Sequence, residues 1–217
     1  MNLGQVNIYR ILHIENIPHI LTNGITHKDS HNSDPNFVSI GDLSLISNRT
    51  TRQVNVDNGD TFNAVEVITL GNLTPFYFGV KMPMLYVIQN GGNFVEKANK
   101  PEDIIYLACS VQSIANSRLT YYFSDGHATD FLTTFYNKDM IMDLPQIVDW
   151  EAVKTPYWGG QENLNIKRKK QAEFLVRGDI PYSFIVGYGC YNDLSKQKLL
   201  DFGIDDQLVK VIPNAYY

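Results

Sequence analysis

Glu173 stands alone in an apolar run. Around it the chain reads Lys167-Arg168-Lys169-Lys170-Gln171-Ala172-Glu173-Phe174-Leu175-Val176-Arg177, four cations passing directly into a segment of strand character. A carboxylate taken out of water must be offset by partners or by protonation. Two readings follow. In the first, Glu173 lies on an edge strand, facing solvent or paired with a neighbouring cation, since most charges sit at the surface. In the second, it is a catalytic carboxylate on the floor of a site, and a mobile basic segment above it receives an anionic substrate.

Other residues could serve such a site. Asn48-Arg49-Thr50-Thr51-Arg52 places two guanidiniums close together, either as solvated surface or as a bidentate phosphate clamp. His13 lies in the short strand–helix connection His13-Ile14-Glu15, where an imidazole can cap a helix or contact a ligand. The five histidines are scattered, and His27 with His31 does not make a zinc ligand set. No phosphate loop, dinucleotide fingerprint, His-Glu-x-x-His, Cys-x-x-Cys pair or nucleophile elbow occurs.

The elements that must position these groups are short. Asn7 to Leu12 reads as a strand, followed by a helix with Asn16 as N-cap, Pro18 in its first turn and Gly24 as its stop. Thr26 to about Asn72 is rich in Asn, Asp, Ser and Gly, notably at Asp29 to Asn36 and Asp57 to Asp60, and predicts long loops around one short helix. Pro75 to Phe78 reads as a strand and Pro83 onward as a helix closing at Gly91-Gly92. Ile104 to Cys109 is a buried strand by its continuous apolar character. A short helix from Ser110 and a strand from Leu119 to Phe123 follow. Phe131 to Tyr136 reads as helical, Asp149 to Val153 as a helix, and Thr155 to Asn165 as a loop holding Tyr157 and Trp158. Strands at Glu173, Ser183 to Tyr188 and Val209 to Ile212 close the chain. The fold class is α+β.

With 217 residues, 44% of them hydrophobic, the chain can bury one core, so one domain over residues 1–217 is expected. The net charge of −5 rules out a globally basic nucleic-acid binder and requires a local patch for any polyanion. Cys109 and Cys190 lie in apolar runs and read as reduced core thiols of a cytosolic protein. The first nine residues lack the features of a signal peptide, and no apolar run approaches the roughly 20 residues of a bilayer span. A cytoplasmic protein with no membrane partner is expected.

Three segments together resemble the DarT family, NAD-dependent DNA ADP-ribosyltransferase toxins of bacterial toxin–antitoxin systems. They are Asn7 to Gly24, then Pro75-Phe76-Tyr77-Phe78 followed by Met82-Pro83-Met84-Leu85, and Lys170-Gln171-Ala172-Glu173-Phe174-Leu175-Val176. Tyr122 to Ala128, Asp149-Trp150-Glu151 and the terminal Tyr216-Tyr217 agree with it. The resemblance covers nearly the whole chain and rests on the set of segments, not on any one.

The resemblance implies an ADP-ribosyltransferase fold, with two small β-sheets face to face, NAD in the cleft between them and helices outside. It implies transfer of ADP-ribose from NAD to a base of single-stranded DNA, with no metal, by a monomer opposed by an antitoxin of the ADP-ribosyl hydrolase type. Glu173 matches the catalytic glutamate, and His127 matches a histidine near the reacting base. Arg49 is the match for an arginine that binds the NAD phosphates, with Arg52 the alternative. Arg10, Leu12, His13, Gly24, Tyr77 and Met84 fall among the remaining NAD-contacting positions. The stretch before Glu173 offers what single-strand binding needs: Lys167, Arg168, Lys169 and Lys170 for phosphates, Tyr157 and Trp158 for stacked bases.

One departure bears on the acceptor. Thymidine-modifying members carry His-Asp-Tyr-Val just before Pro-Phe-Tyr-Phe, where this chain has Gly71-Asn72-Leu73-Thr74. That favours guanine over thymine. Two alternatives stand beside this reading: the same fold acting on RNA or protein, and a catalytically silent nucleic-acid-binding module.

Overall fold

A computed structural model describes residues 2–59, 66–91 and 94–217; Asp60 and Gly92, named above in a loop and a helix stop, lie outside them. Among the described residues ten strands run in chain order: β1 (Asn7–His13), β2 (Gln53–Val56), β3 (Glu66–Thr69), β4 (Leu73–Tyr77), β5 (Ile104–Ser110), β6 (Tyr121–Ser124), β7 (Phe135–Tyr136), β8 (Glu173–Arg177), β9 (Ile185–Cys190) and β10 (Val209–Val211). The helices are α1 (Ile17–Asn23), α2 (Leu43–Thr51), α3 (Pro83–Asn90), α4 (Val111–Ala115), α5 (Leu144–Ile147), α6 (Trp150–Lys154), α7 (Leu164–Lys170) and α8 (Asp193–Asp201).

The α+β class is as expected, but the two separate sheets are not found. All ten strands form one sheet in the order β10-β9-β5-β1-β4-β8-β6-β7-β2-β3. The middle is nearly divided. β1 pairs with β5 along its whole length, and β4 pairs with β8 along its whole length. Between β1 and β4 there is a single register pair, Tyr9 with Tyr77. Pro75 has no N–H for a ladder, and its carbonyl accepts from Arg10 Nη1 at 3.0 Å instead. One backbone bridge and one guanidinium therefore join two halves that part elsewhere, which makes the sheet continuous while leaving a cleft at its centre.

Alternation along β8 sets its two faces. Phe174 and Val176 enter the large core with Ile8, Leu12 and Phe123. Phe174 stacks on Tyr121 with ring centroids 5.1 Å apart and meets Phe78 edge-on. Leu175 enters a smaller core with Val56, Ile68, Leu73 and Phe135. Glu173 shares the Leu175 face, at its cleft end. Both cysteines are buried, and neither is in a disulfide.

Two expectations are corrected. Phe131 to Tyr136 is not helical: Thr133 Oγ1 donates to the carbonyl of His127 and the Thr134 N–H to Asp125, folding the segment back so that Phe135–Tyr136 becomes β7. The basic run is not a mobile segment either. Lys and Arg are good helix formers and stabilise a helix C-terminus, and residues 164–170 form α7. Asn16, expected to cap α1, makes no cap bond. It is buried, and its side-chain amide makes paired bonds of 2.8 and 2.9 Å with the backbone of Val38, pinning the segment that roofs the cleft.

Candidate active site

Glu173 opens β8 opposite Tyr77 of β4. It is 1% exposed, so the edge-strand reading fails. Its backbone N–H donates to Ser124 Oγ at 3.1 Å, and that hydroxyl donates to the Gly126 carbonyl at 2.7 Å. The Ala128 N–H donates to Oε1 at 3.1 Å. Arg49 Nη1 reaches both oxygens, at 3.1 and 2.8 Å. The carboxylate is thus buried with its charge balanced by α2, not by the basic run beside it in sequence.

Helix α2 delivers Arg49. Asp42 caps it, accepting from the backbone of Ser44 and Leu45, and the helix lies directly on Gly71, where a Cβ would come within 2.5 Å of the Thr50 carbonyl. Arg49 Nη2 is buried and has no hydrogen-bond partner among the described residues. Such a donor is costly to leave unmade, and it suits an incoming anion.

Around this pair stand Arg10, Tyr77 and His127. Burial, and then the neighbouring Arg49, bring the Arg10 guanidinium down to about 10. Burial, and then Glu173, push the Tyr77 phenol up. Burial lowers the His127 imidazole, with Glu173 opposing, so the ring is a neutral donor or acceptor at neutral pH. Its Nδ1 lies 2.9 Å from Thr129 Oγ1.

Two adjoining cavities meet here. The inner one, about 160 Å³, is lined by Arg10, Leu12, Arg49, Tyr77, Met84 and His127, six residues predicted from sequence. The outer one, about 670 Å³, is lined by Trp158, Lys167, Arg168, Gln171, Asp130 and Leu132 among others, and shares Asp42, Leu45, Met84 and His127 with the inner. The inner volume is below the roughly 300–1,000 Å³ of ordinary ligand pockets and suits one ring; the outer holds more.

Other predicted residues are placed elsewhere. His13 caps the turn before α1, accepting from the Glu15 N–H. Gly24 has φ 75°, and a Cβ there would lie 2.3 Å from the Ile180 carbonyl; it is a packing glycine. The Arg52 guanidinium sits 5.0 Å over the ring of Phe131, away from the inner cavity. Tyr157 is largely exposed to solvent. The four cations diverge. Lys167 lies 5.3 Å over the Trp158 ring, facing the outer cavity. Arg168 is buried and bonded to Asp125, Asn165 and Thr133. Lys169 pairs with Asp149 at 2.9 Å. Lys170 is buried against the Val153 carbonyl. Ser124, Thr129, the Ala128 N–H and the exposed Phe131 were not anticipated. The first three act through backbone or hydroxyl bonds that leave no spacing signal.

Among the described residues no group of three or more His, Cys, Asp or Glu is placed to hold a metal. No helix among them is long and apolar enough to cross a membrane.

A sheet that parts over a buried glutamate, with an arginine and a ring-sized cavity beside it, has the architecture of an ADP-ribosyltransferase. The family model described as DarT, ssDNA thymidine ADP-ribosyltransferase, matches residues 9–217. The chain belongs to the DarT family. It is similar to the DNA ADP-ribosyl transferase of Thermus sp. strain 2.9, at 30% identity over 96% of this chain and 89% of that one. The DNA ADP-ribosyl transferase of Escherichia coli O127:H6 is 30% identical over 89% of this chain and 84% of its own. A Thermosipho africanus protein named as a fusion of DNA ADP-ribosyl transferase and DNA ADP-ribosyl glycohydrolase is 29% identical over 97% of this chain and 48% of its own. Among solved structures, Thermus sp. 2.9 DarT in complex with ADP-ribosylated ssDNA superposes with a TM-score of 0.79, at 26% identity over 98% of this chain and 96% of that one. The same protein in complex with NAD+ gives 0.76, with 98% of each chain covered.

Proposed function

We propose that this protein transfers ADP-ribose from NAD to a base of single-stranded DNA, releases nicotinamide, and acts as the toxin of a toxin–antitoxin pair. The observation that carries the reading is the buried Glu173 carboxylate, held by Arg49 and the Ala128 N–H where β1 and β4 part. NAD would enter by its nicotinamide end, with Arg10, Tyr77 and Met84 around that half and Arg49 Nη2 directed to the pyrophosphate. Leaving of nicotinamide develops positive charge on the ribose, and a fixed carboxylate stabilises it where it forms. Attack by a base nitrogen then requires loss of its proton, and Glu173 is the acceptor at hand, a role that contributes about 10²–10⁴-fold. His127, at the junction of the two cavities, faces the reacting base.

The acceptor is a single strand laid in the outer cavity, where Trp158 and Lys167 provide a stacking face and a cation. We infer guanine as the base. Gly71 departs from the thymidine-type run and fits closely under α2. Asp130 lines the outer cavity, and a carboxylate accepts both donors that guanine offers on one edge. Thymine is the second reading, favoured by the description of the matching family model. An opposing ADP-ribosyl hydrolase is the partner expected, since the Thermosipho relative carries a glycohydrolase in the same chain.

Mass spectrometry of nucleosides from oligonucleotides incubated with NAD and the protein tests acceptor and base together. ADP-ribosyl-guanosine is expected. Label on RNA or protein but never on single-stranded DNA would overturn the acceptor, and ADP-ribosyl-thymidine would overturn the base. Expression of Glu173→Ala in bacteria should relieve toxicity; continued killing would refute the role given to that carboxylate.

A further inference from the structure

A second cleft opens beyond the β4–α3 turn. Its volume is about 490 Å³, and Lys81, Lys154 and Lys170 line it with Tyr9, Trp150 and Asn214. Among the described residues no aspartate or glutamate lines it. Three lysines lining one concavity without a carboxylate focus a positive potential there.

Lys170 is the floor of this cleft and is 2% exposed. An ammonium has three N–H donors. One goes to the Val153 carbonyl at 2.8 Å, near the C-terminal end of α6, and no other hydrogen bond is formed with the described residues. Burial, then the neighbouring Lys81, bring it down to about 8. The fold thus keeps an under-bonded cation where desolvation and a like charge both oppose it.

The Lys81 backbone is fixed beside this cation. It takes a positive φ of 57°, its N–H donates to Tyr106 Oη at 2.9 Å, and its carbonyl accepts from Tyr217 Oη at 2.8 Å. Its Nζ lies 5.2 Å over the Tyr217 ring, and Tyr217 meets Trp158 edge-on. Trp158 faces the outer cavity of the active site. A cation, two aromatic rings and a further cation, Lys167, therefore run without interruption from the second cleft to the acceptor groove.

We propose that the Lys81–Lys154–Lys170 cleft is a phosphate site that holds a backbone phosphate of the DNA strand beyond the reacting base. It rests on the single-strand reading above. A free phosphate would meet the same three lysines, so the test separates the two sources.

Labelled single strands of four and twelve nucleotides, titrated by anisotropy without NAD over a range of salt, provide the measurement. The double variant Lys81→Ser/Lys154→Ser alters two exposed or half-exposed side chains. It should weaken the twelve-mer about tenfold and lower the slope of log K against log salt by about 0.7, the value for one single-strand phosphate contact. The four-mer, too short to leave the groove, should be unaffected. Equal losses at both lengths, or an unchanged slope for the twelve-mer, overturn the proposal. Inorganic phosphate that quenches Trp150 while the double variant still binds the twelve-mer normally assigns the cleft to free phosphate and overturns the strand. Lys170→Met keeps the aliphatic stem. A fall in melting temperature with full twelve-mer affinity reduces Lys170 to a helix cap and removes it from the site. Wild-type protein that puts no ADP-ribose on any DNA is a different result, and refutes the enzymatic reading instead.

Discussion

Arg49 holds Glu173 through a single nitrogen. Nη1 donates to both carboxylate oxygens, while Nη2 is buried and left without a partner among the described residues. A guanidinium used this way can keep the carboxylate ionised and still receive an anion on its second nitrogen.

From this geometry Arg49→Lys should lose more than charge counting suggests. An ammonium can replace the Nη1 contacts but not extend to Nη2 at the same time. NAD affinity should fall about tenfold or more, the cost of one charge-assisted hydrogen bond of about 1.5–3 kcal/mol, with the fold intact. Arg49→Ala should destabilise as well, by up to about 3 kcal/mol, because Glu173 keeps only the Ala128 N–H in a buried position. Calorimetric titration of NAD and thermal melts of both variants measure this. Equal NAD affinity in wild type and Arg49→Lys would remove Arg49 from the phosphate role.

His127 gives a pH signature. Burial holds its imidazole below the usual value, with Glu173 opposing. The unfolded chain then binds the proton more readily than the folded one between that lowered value and about 6.5. Stability therefore rises with pH through this window, is complete above about 6.5, and is lost as pH falls below it. His127→Gln lacks the titration. Between pH 7.5 and 5 the wild type should lose more melting temperature than the variant; parallel losses would mean that the imidazole is not buried in solution.

The parts legible in sequence were those written by local chemistry. The β-branched and aromatic residues of Asn7 to Leu12, Pro83 at a helix start and Gly24 at a helix end gave β1, α3 and the stop of α1. Glu173 was conspicuous because it interrupts an apolar run. What stayed hidden depends on distant pairing. The sheet parts at Tyr9 and Tyr77, 68 positions apart, and only the assembled ladder reveals the single bridge. The Ala128 N–H has no side-chain signature at all. The basic run misled for a related reason: on a helix, successive residues point about 100° apart, so four adjacent cations cannot share one groove.

That rotation separates Arg168 from Lys167 experimentally. Arg168 is buried, bonded to Asp125 and Thr133, and its carbonyl accepts from the His127 N–H. Arg168→Ala should loosen the 125–134 segment and cost about 2–4 kcal/mol, since a buried pair loses one partner and Asp125 regains part of its hydration. Lys167→Ser should leave stability within about 0.5 kcal/mol but weaken single-strand binding and flatten its salt dependence by about 0.7. Urea melts and salt titrations of the two variants make the comparison. A salt-slope change in Arg168→Ala with unaltered stability would return that arginine to the DNA.

Phe131 is the most exposed aromatic side chain among the described residues, at 93%, and the Arg52 guanidinium lies over its ring. Leu132 beside it lines the outer cavity, so the pair stands at the rim of the acceptor groove. Among the described residues no core cluster includes the ring, and folding gains almost nothing from it. An exposed ring with a guanidinium over one face is, however, a surface on which an unpaired base can stack, a contact that contributes about 1–3 kcal/mol per base. Phe131→Ala should therefore leave the melting temperature unchanged and weaken single-strand affinity by about 5- to 150-fold. Phe131→Trp should retain it, since the indole presents a larger face. Duplex binding should be indifferent to either change, because paired bases offer no free face. A melting shift in Phe131→Ala without loss of single-strand affinity would show that the ring packs in solution and does not stack on bases.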